Sequence, residues 1–163
     1  MRADIYWVTP RLAILARPRP GDWLQDEVAS WREQGIEVVV SLLEIHEELE
    51  LGLTDEAAIC EEAGLHFVAL RIADRGVPVD VTAVAGLVDQ LANRVVGVHC
   101  RAGVGRSALF AACVLVAQGL DADEALTRIA GARGVEVPDT EEQREWVRRF
   151  ALRRKFPLPG GEG

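Results

Sequence analysis

The sequence predicts an α/β fold: a single domain whose central, mostly parallel sheet is flanked by helices on both faces. Three observations predict it. Short β-branched runs alternate with helical periodicities along the chain. Two of those runs, 36–43 and 95–98, are almost wholly apolar, as strands buried on both faces are. A glycine-rich loop follows the second run, at the carboxyl end of a strand, where folds of this class hold their ligands. The 163 residues, 49% hydrophobic and 27% charged, suit one core rather than two. We expect the domain to occupy 1–156, with a flexible C-terminal tail over 157–163 that carries Pro157, Pro159, Gly160 and Gly161.

Strands are expected from Ile5 to Val8 and from Leu12 to Leu15, joined by the Thr9-Pro10 turn. Asp22 stands where a cap is wanted for a helix over 23–34, with Trp23, Leu24, Val28 and Trp31 at helical spacing and Gly35 as its stop. The apolar strand 36–43 leads to a helix from about Thr54 to Ala63, ended by Gly64, and then to a strand from His66 to Leu70. Asp80 is placed to cap a helix through Leu91. Residues 107–118 are apolar nearly all round and predict a buried helix stopped by Gly119. Two further helices follow. The last runs from Glu141 to about Lys155 and opens with Thr140 and Gln143 in capping-box spacing.

The formal net charge of −8 argues against nucleic acid or an anionic membrane as a partner, so any anion site must be local. No apolar run approaches the length of a membrane span and the first residues lack a secretory pattern, so a cytoplasmic location is expected. Three cysteines, Cys60, Cys100 and Cys113, cannot all pair, and reduced thiols are the expectation. Cys60 and Cys113 read as core, and His46 and His66 as ordinary surface or strand histidines.

The informative segment is His99-Cys100-Arg101-Ala102-Gly103-Val104-Gly105-Arg106-Ser107. Gly103 and Gly105 clear side chains from a turn whose backbone amides must converge on an anion, and glycine accepts the positive φ such a nest requires. The following helix adds unpaired N–H groups and the positive end of its dipole, which favour both a bound phosphate and a thiolate on Cys100. Arg106 can lay its planar fork on two anion oxygens. Ser107 can donate its hydroxyl to the sulfur, and His99 can brace the loop by hydrogen bonds.

This string resembles the HCxxGxxRS/T signature of the cysteine-dependent protein tyrosine and dual-specificity phosphatase superfamily at every defining position. The resemblance is to a small, dual-specificity-like member. It implies hydrolysis of a phosphate monoester through a phosphocysteine on Cys100, with neither metal nor organic cofactor. The phosphate would lie on residues Arg101, Ala102, Gly103, Val104, Gly105 and Arg106.

A leaving oxygen needs a proton, and a loop carboxylic acid near the phosphate can supply it. Asp74, in Ile72-Ala73-Asp74-Arg75-Gly76-Val77-Pro78 after a predicted strand, is the candidate. The segment resembles the family's acid loop, although Ile72-Ala73 replaces the tryptophan-proline of larger tyrosine phosphatases; turn formation or pairing with Arg71 or Arg75 is the competing role. Asp80 is the rival acid, and helix capping is its other explanation. Gln143 is similar to the glutamine that positions hydrolytic water in related enzymes, while the capping box accounts for it equally. The substrate implied is a phosphorylated protein, phosphotyrosine first and then phosphoserine or phosphothreonine. A phosphoinositide or small phosphoester is the alternative, and rhodanese-like sulfur transfer a further one.

Overall fold

The computed structural model describes residues 4–156. The tail expected over 157–163 lies outside the described residues. Five strands form one sheet: β1 (Ile5–Thr9), β2 (Leu12–Leu15), β3 (Val38–Ser41), β4 (His66–Ala69) and β5 (Val96–His99), in the order β1-β2-β5-β3-β4. Only the β1–β2 hairpin is antiparallel; β2, β5, β3 and β4 run parallel. The helices are α1 (Asp22–Glu33), α2 (Ile45–Leu51), α3 (Glu56–Glu62), α4 (Val81–Gln90), α5 (Arg106–Ala117), α6 (Ala122–Arg133) and α7 (Glu141–Lys155). None of them is long and apolar enough to cross a membrane.

Strand alternation divides the core in two. Leu12, Ile14, Val38, Val40, Val96 and Val98 pack with α4, α5, α6 and α7, whereas Ala13, Leu15, Val39 and Leu43 pack with Leu24, Val28, Trp31 and Cys60 of α1 and α3. Helix α5 is buried from Arg106 to Val116, as its uniformly apolar sequence requires. The register sets Ser41 opposite His99 and, on the other side, opposite Ala69. Three chain segments therefore leave the sheet side by side at the carboxyl ends of β5, β3 and β4, and that end carries the site.

The structure corrects several boundaries. The expected strand 36–43 is regular only over Val38–Ser41, and the helix expected from Thr54 begins at Glu56. Asp22 does not cap α1: Gly21 occupies the cap position and Asp22 is the first helical residue, where its charge faces the dipole. Trp31 is core, but Trp23 is 49% exposed beneath the guanidinium of Arg19, 4.2 Å from the ring centroid, and Trp7 is also exposed. Helix α2 was not expected at all. It opens with a Glu44/Glu47 capping box and ends at Gly52, while Ile45 and Leu49 face outward, so it shows no apolar stripe.

Candidate active site

The turn after β5 brings Cys100 beneath the head of α5. The thiol is buried, and its Sγ accepts the backbone N–H of Gly103 at 3.2 Å. Gly103 makes this turn at φ +73, a conformation that favours glycine. Gly105 corrects the expectation, since its φ is −89. Space is what it supplies: a Cβ there would stand 2.5 Å from Oδ2 of Asp139 and 3.0 Å from Oε1 of Gln143.

Arg106 projects from the first turn of α5 and ties the three segments together. Its NH1 donates to Oε1 of Glu47 at 2.6 Å and to the carbonyl of Ile72 at 2.8 Å, with a longer contact to the carbonyl of Leu42. Its NH2 donates to Oε2 of Glu47 at 2.9 Å and to Oδ1 of Asp74 at 3.2 Å. The Arg106 and Glu47 side chains are only 1% and 2% exposed. Burial alone would raise the Glu47 carboxyl, but hydrogen bonds from Arg106 and the Glu44 amide, together with the charge of Arg106, bring it from 4.5 down to about 2. Asp74 is 57% exposed and reaches Arg106 from the loop after β4. Asp80, the rival, accepts from the amides of Thr82 and Ala83 and caps α4.

The remaining expected residues fall into distinct places. His99 is fully buried at the end of β5; its Nε2 pairs with Oε2 of Glu56 at 2.6 Å and its Nδ1 lies 3.4 Å from the Cys100 carbonyl. Burial disfavours its charged form, but the Glu56 carboxylate and the Cys100 carbonyl outweigh that and hold the imidazolium to higher pH than usual. The Ser107 hydroxyl is buried beside the loop with no hydrogen-bond partner. Arg101 turns its side chain to Glu47 and Glu50 of α2. Gln143 is buried: Oε1 accepts from the amides of Asp139 and Thr140, and Nε2 donates one hydrogen bond, 3.0 Å, to the carbonyl of Gly76 in the loop after β4. It thus joins α7 to the segment that carries Asp74. Cys60 and Cys113 are core, and burial drives the Cys60 thiol up to about 12.

Sequence reasoning missed Glu47 and Glu56. Glu47 had one local signal, the Glu44-x-x-Glu47 capping pattern, and Glu56 had none. Among the described residues no cluster of three or more His, Cys, Asp or Glu side chains is arranged to hold a metal ion.

This arrangement, a thiol under backbone amides at a helix head with a buried arginine and a loop carboxylate beside it, has counterparts among known proteins. The family described as "Polymorphic toxin system, DSP-PTPase phosphatase" matches residues 15–120. The chain belongs to that family. It is 32% identical over 143 residues to mouse protein tyrosine phosphatase domain-containing protein 1, covering 78% of this chain but only 19% of that longer protein. Kinase associated phosphatase superimposes with a TM-score of 0.83 at 19% identity, over 97% of this chain and 99% of that one. PTPMT1 in complex with PI(5)P gives 0.76 at 22% identity, over 93% of this chain and 96% of that one. Tk-PTP in its active form gives 0.74 at 25% identity, over 91% of this chain and 97% of that one. The sheet, the loop at its edge and the flanking helices are those of a dual-specificity-like phosphatase.

Proposed function

We propose that this phosphatase hydrolyses phosphate monoesters in proteins, phosphotyrosine first and phosphoserine or phosphothreonine after it, through a phosphocysteine on Cys100. One observation carries the reading: the sulfur lies under the Gly103 amide while the buried Arg106 holds the acid candidate Asp74 at its rim.

The hydrogen-bond pattern of Arg106 supports one mode of substrate entry. A guanidinium has five N–H bonds. NH1 is committed to Glu47 and Ile72, and one hydrogen of NH2 to Glu47. The edge left for a bidentate phosphate is Nε–H with the NH2 hydrogen that now meets Asp74. An arriving phosphate dianion displaces Asp74 from that hydrogen, so binding and release of the acid are one event.

The Cys100 sulfur then attacks phosphorus opposite the ester oxygen. The P–O bond breaks as the S–P bond forms, the oxygen leaves with a proton that Asp74 takes up from solvent once the dianion has freed it from Arg106, and the amides of residues 101–106 hold the equatorial oxygens. In the second step Asp74, now a carboxylate, takes a proton from a water that attacks phosphorus. The S–P bond breaks, inorganic phosphate forms, and the free hydroxyl of Ser107 supports the departing sulfur. Gln143 acts in this scheme by fixing the acid loop: its Nε2 donates to the carbonyl of Gly76, and its Oε1 is taken by the amides of Asp139 and Thr140.

A phosphoinositide is the second reading, motivated by the PI(5)P complex of PTPMT1. Ala102 and Val104 add no cation to the loop, and Arg101 is spent on Glu47 and Glu50, which supports a singly phosphorylated protein side chain instead. The test is hydrolysis of an aryl phosphate by the wild type and Cys100→Ser, followed by phosphopeptides against inositol phosphates. Loss of activity in Cys100→Ser with preference for phosphopeptides is expected. Equal activity in the two proteins refutes the mechanism, and preference for inositol phosphates refutes the substrate.

A further inference from the structure

The phosphate loop is open turn between β5 and α5, and nothing in its own sequence obliges successive peptide planes to point their N–H groups inward. A residue far from the signature supplies the constraint. Arg133, the last residue of α6, donates from NH2 to the carbonyl of Ala102 at 3.1 Å and from Nε to the carbonyl of Gly103 at 3.2 Å. The guanidinium carbon also lies over the ring of Tyr6 of β1, 4.3 Å from its centroid.

We propose that Arg133, clamped by Tyr6, is a positioning residue of the phosphate cradle that aims the amides of Gly103 and Val104 at the phosphate by holding the two carbonyls behind them. The constraint on the loop is stereochemical. Across a trans peptide the C=O of one residue and the N–H of the next point in opposite directions. Residues 103 and 104 are glycine and valine, not proline, so the planes 102–103 and 103–104 are trans. Fixing the Ala102 oxygen outward turns the Gly103 N–H inward, and that N–H is the one that meets Cys100 Sγ at 3.2 Å. Fixing the Gly103 oxygen does the same for Val104. The cation also polarises both peptides, making their N–H groups better donors. Without it, either plane could turn over and set a carbonyl oxygen against the phosphate.

Tyr6 supplies rigidity. A planar guanidinium with a ring over its face and two carbonyls on its edge has little freedom left, and a lysine ammonium has no planar fork to match the paired acceptors.

The inference rests on the reading that residues 100–106 hold phosphate, so its test is made independent of turnover. Inorganic phosphate is titrated calorimetrically into the wild type, Arg133→Ala, Arg133→Lys and Tyr6→Leu, with melting temperatures and aryl phosphate kinetics measured on the same proteins. Mis-aiming two donors in Arg133→Ala should weaken phosphate binding and lower kcat, each by about tenfold or more. Arg133→Lys should recover only part of this, and Tyr6→Leu should show a smaller loss of the same kind. Wild-type phosphate affinity and kcat in Arg133→Ala overturn the proposal, even if the melting temperature falls, because that is the pattern of a merely structural residue. If Arg133→Ala does not fold, wild-type affinity in Tyr6→Leu overturns it instead. A wild type that binds phosphate yet hydrolyses nothing defeats the proposed function and leaves the affinity comparison to decide this inference. A wild type that binds no phosphate defeats both.

Discussion

Replacing Glu47 by glutamine keeps the volume of the side chain and removes the charge that holds Arg106. Both members of the pair are almost completely buried, and the carboxylate accepts bonds of 2.6 and 2.9 Å. Removing one partner of such a pair costs about 3–5 kcal/mol, because the other charge stays buried. Arg106 retains the Ile72 carbonyl at 2.8 Å and Asp74 at 3.2 Å, which places the loss at the lower end, about 3 kcal/mol. In a domain of this size each kcal/mol corresponds to about 2–4 °C, so melting at neutral pH should fall by about 6–12 °C. The glutamine amide also turns an N–H toward a guanidinium N–H, which tilts the fork, and kcat/KM for an aryl phosphate should drop by about ten- to a hundredfold. Acid sensitivity changes too. The Glu47 carboxyl lies at about 2 in the folded chain against an ordinary 4.5, so its contribution is complete above about pH 4.5 and disappears as pH falls toward 2. Between those limits the melting temperatures of wild type and variant should converge. Unchanged melting and unchanged kcat/KM in Glu47→Gln would refute the role given to this pair; a lower melting temperature with wild-type kcat and KM would refute its role in aiming Arg106.

Three further outcomes follow from the geometry. Asp74→Asn should bind inorganic phosphate at least as well as wild type, since Arg106 loses a competing carboxylate, while kcat falls about 10²- to 10⁴-fold for alkyl phosphates and less for activated aryl phosphates; equal losses for both leaving groups would contradict the acid role. The His99 imidazolium is held to higher pH than usual by Glu56, so its share of stability is fully present below about pH 6.5 and declines as pH rises through the shifted value. Glu56→Gln should lower the melting temperature most at acidic pH and least at alkaline pH, and a pH-independent difference would count against the pair. Gly105→Ala should lower phosphate affinity by overpacking worth about 1–3 kcal/mol, with part of the loss recovered in the Gly105→Ala, Asp139→Ala double variant, whose closest contact has gone; no recovery would show that the clash with Asp139 is not the cause.

The parts of the fold that were legible in the chain are those whose physics is local. Uniform burial made strands 38–41 and 96–99 and helix α5 readable as apolar runs, and the residue types from Cys100 to Ser107 mark a turn and a helix start, although the contact from Arg133 to the carbonyls of that turn left no local trace. Helix α2 was hidden because it presents Ile45 and Leu49 to solvent and buries a glutamate, the reverse of the usual pattern. The two acidic partners of the signature were hidden for a different reason. Glu47 meets Arg106 across 59 positions and Glu56 meets His99 across 43, and no local pattern records a contact at that separation. Of the two reasons the sequence offered for Gly103 and Gly105, a positive φ applies to Gly103 alone, while the absent side chain of Gly105 leaves room for a loop on the far side of the site. Gln143 is the converse, since the capping box foretold from spacing is present but its amide also reaches the acid loop.

The most direct test of the account is location of the covalent intermediate. Wild-type enzyme turning over an aryl phosphate is quenched in acid within the first turnovers, digested and examined by mass spectrometry for a phosphorylated peptide. The account predicts phosphate on the sulfur of Cys100, accumulating further in variants slowed in the second step and absent from Cys100→Ser. Phosphate on another side chain, or steady hydrolysis by Cys100→Ser at the wild-type rate, would contradict it.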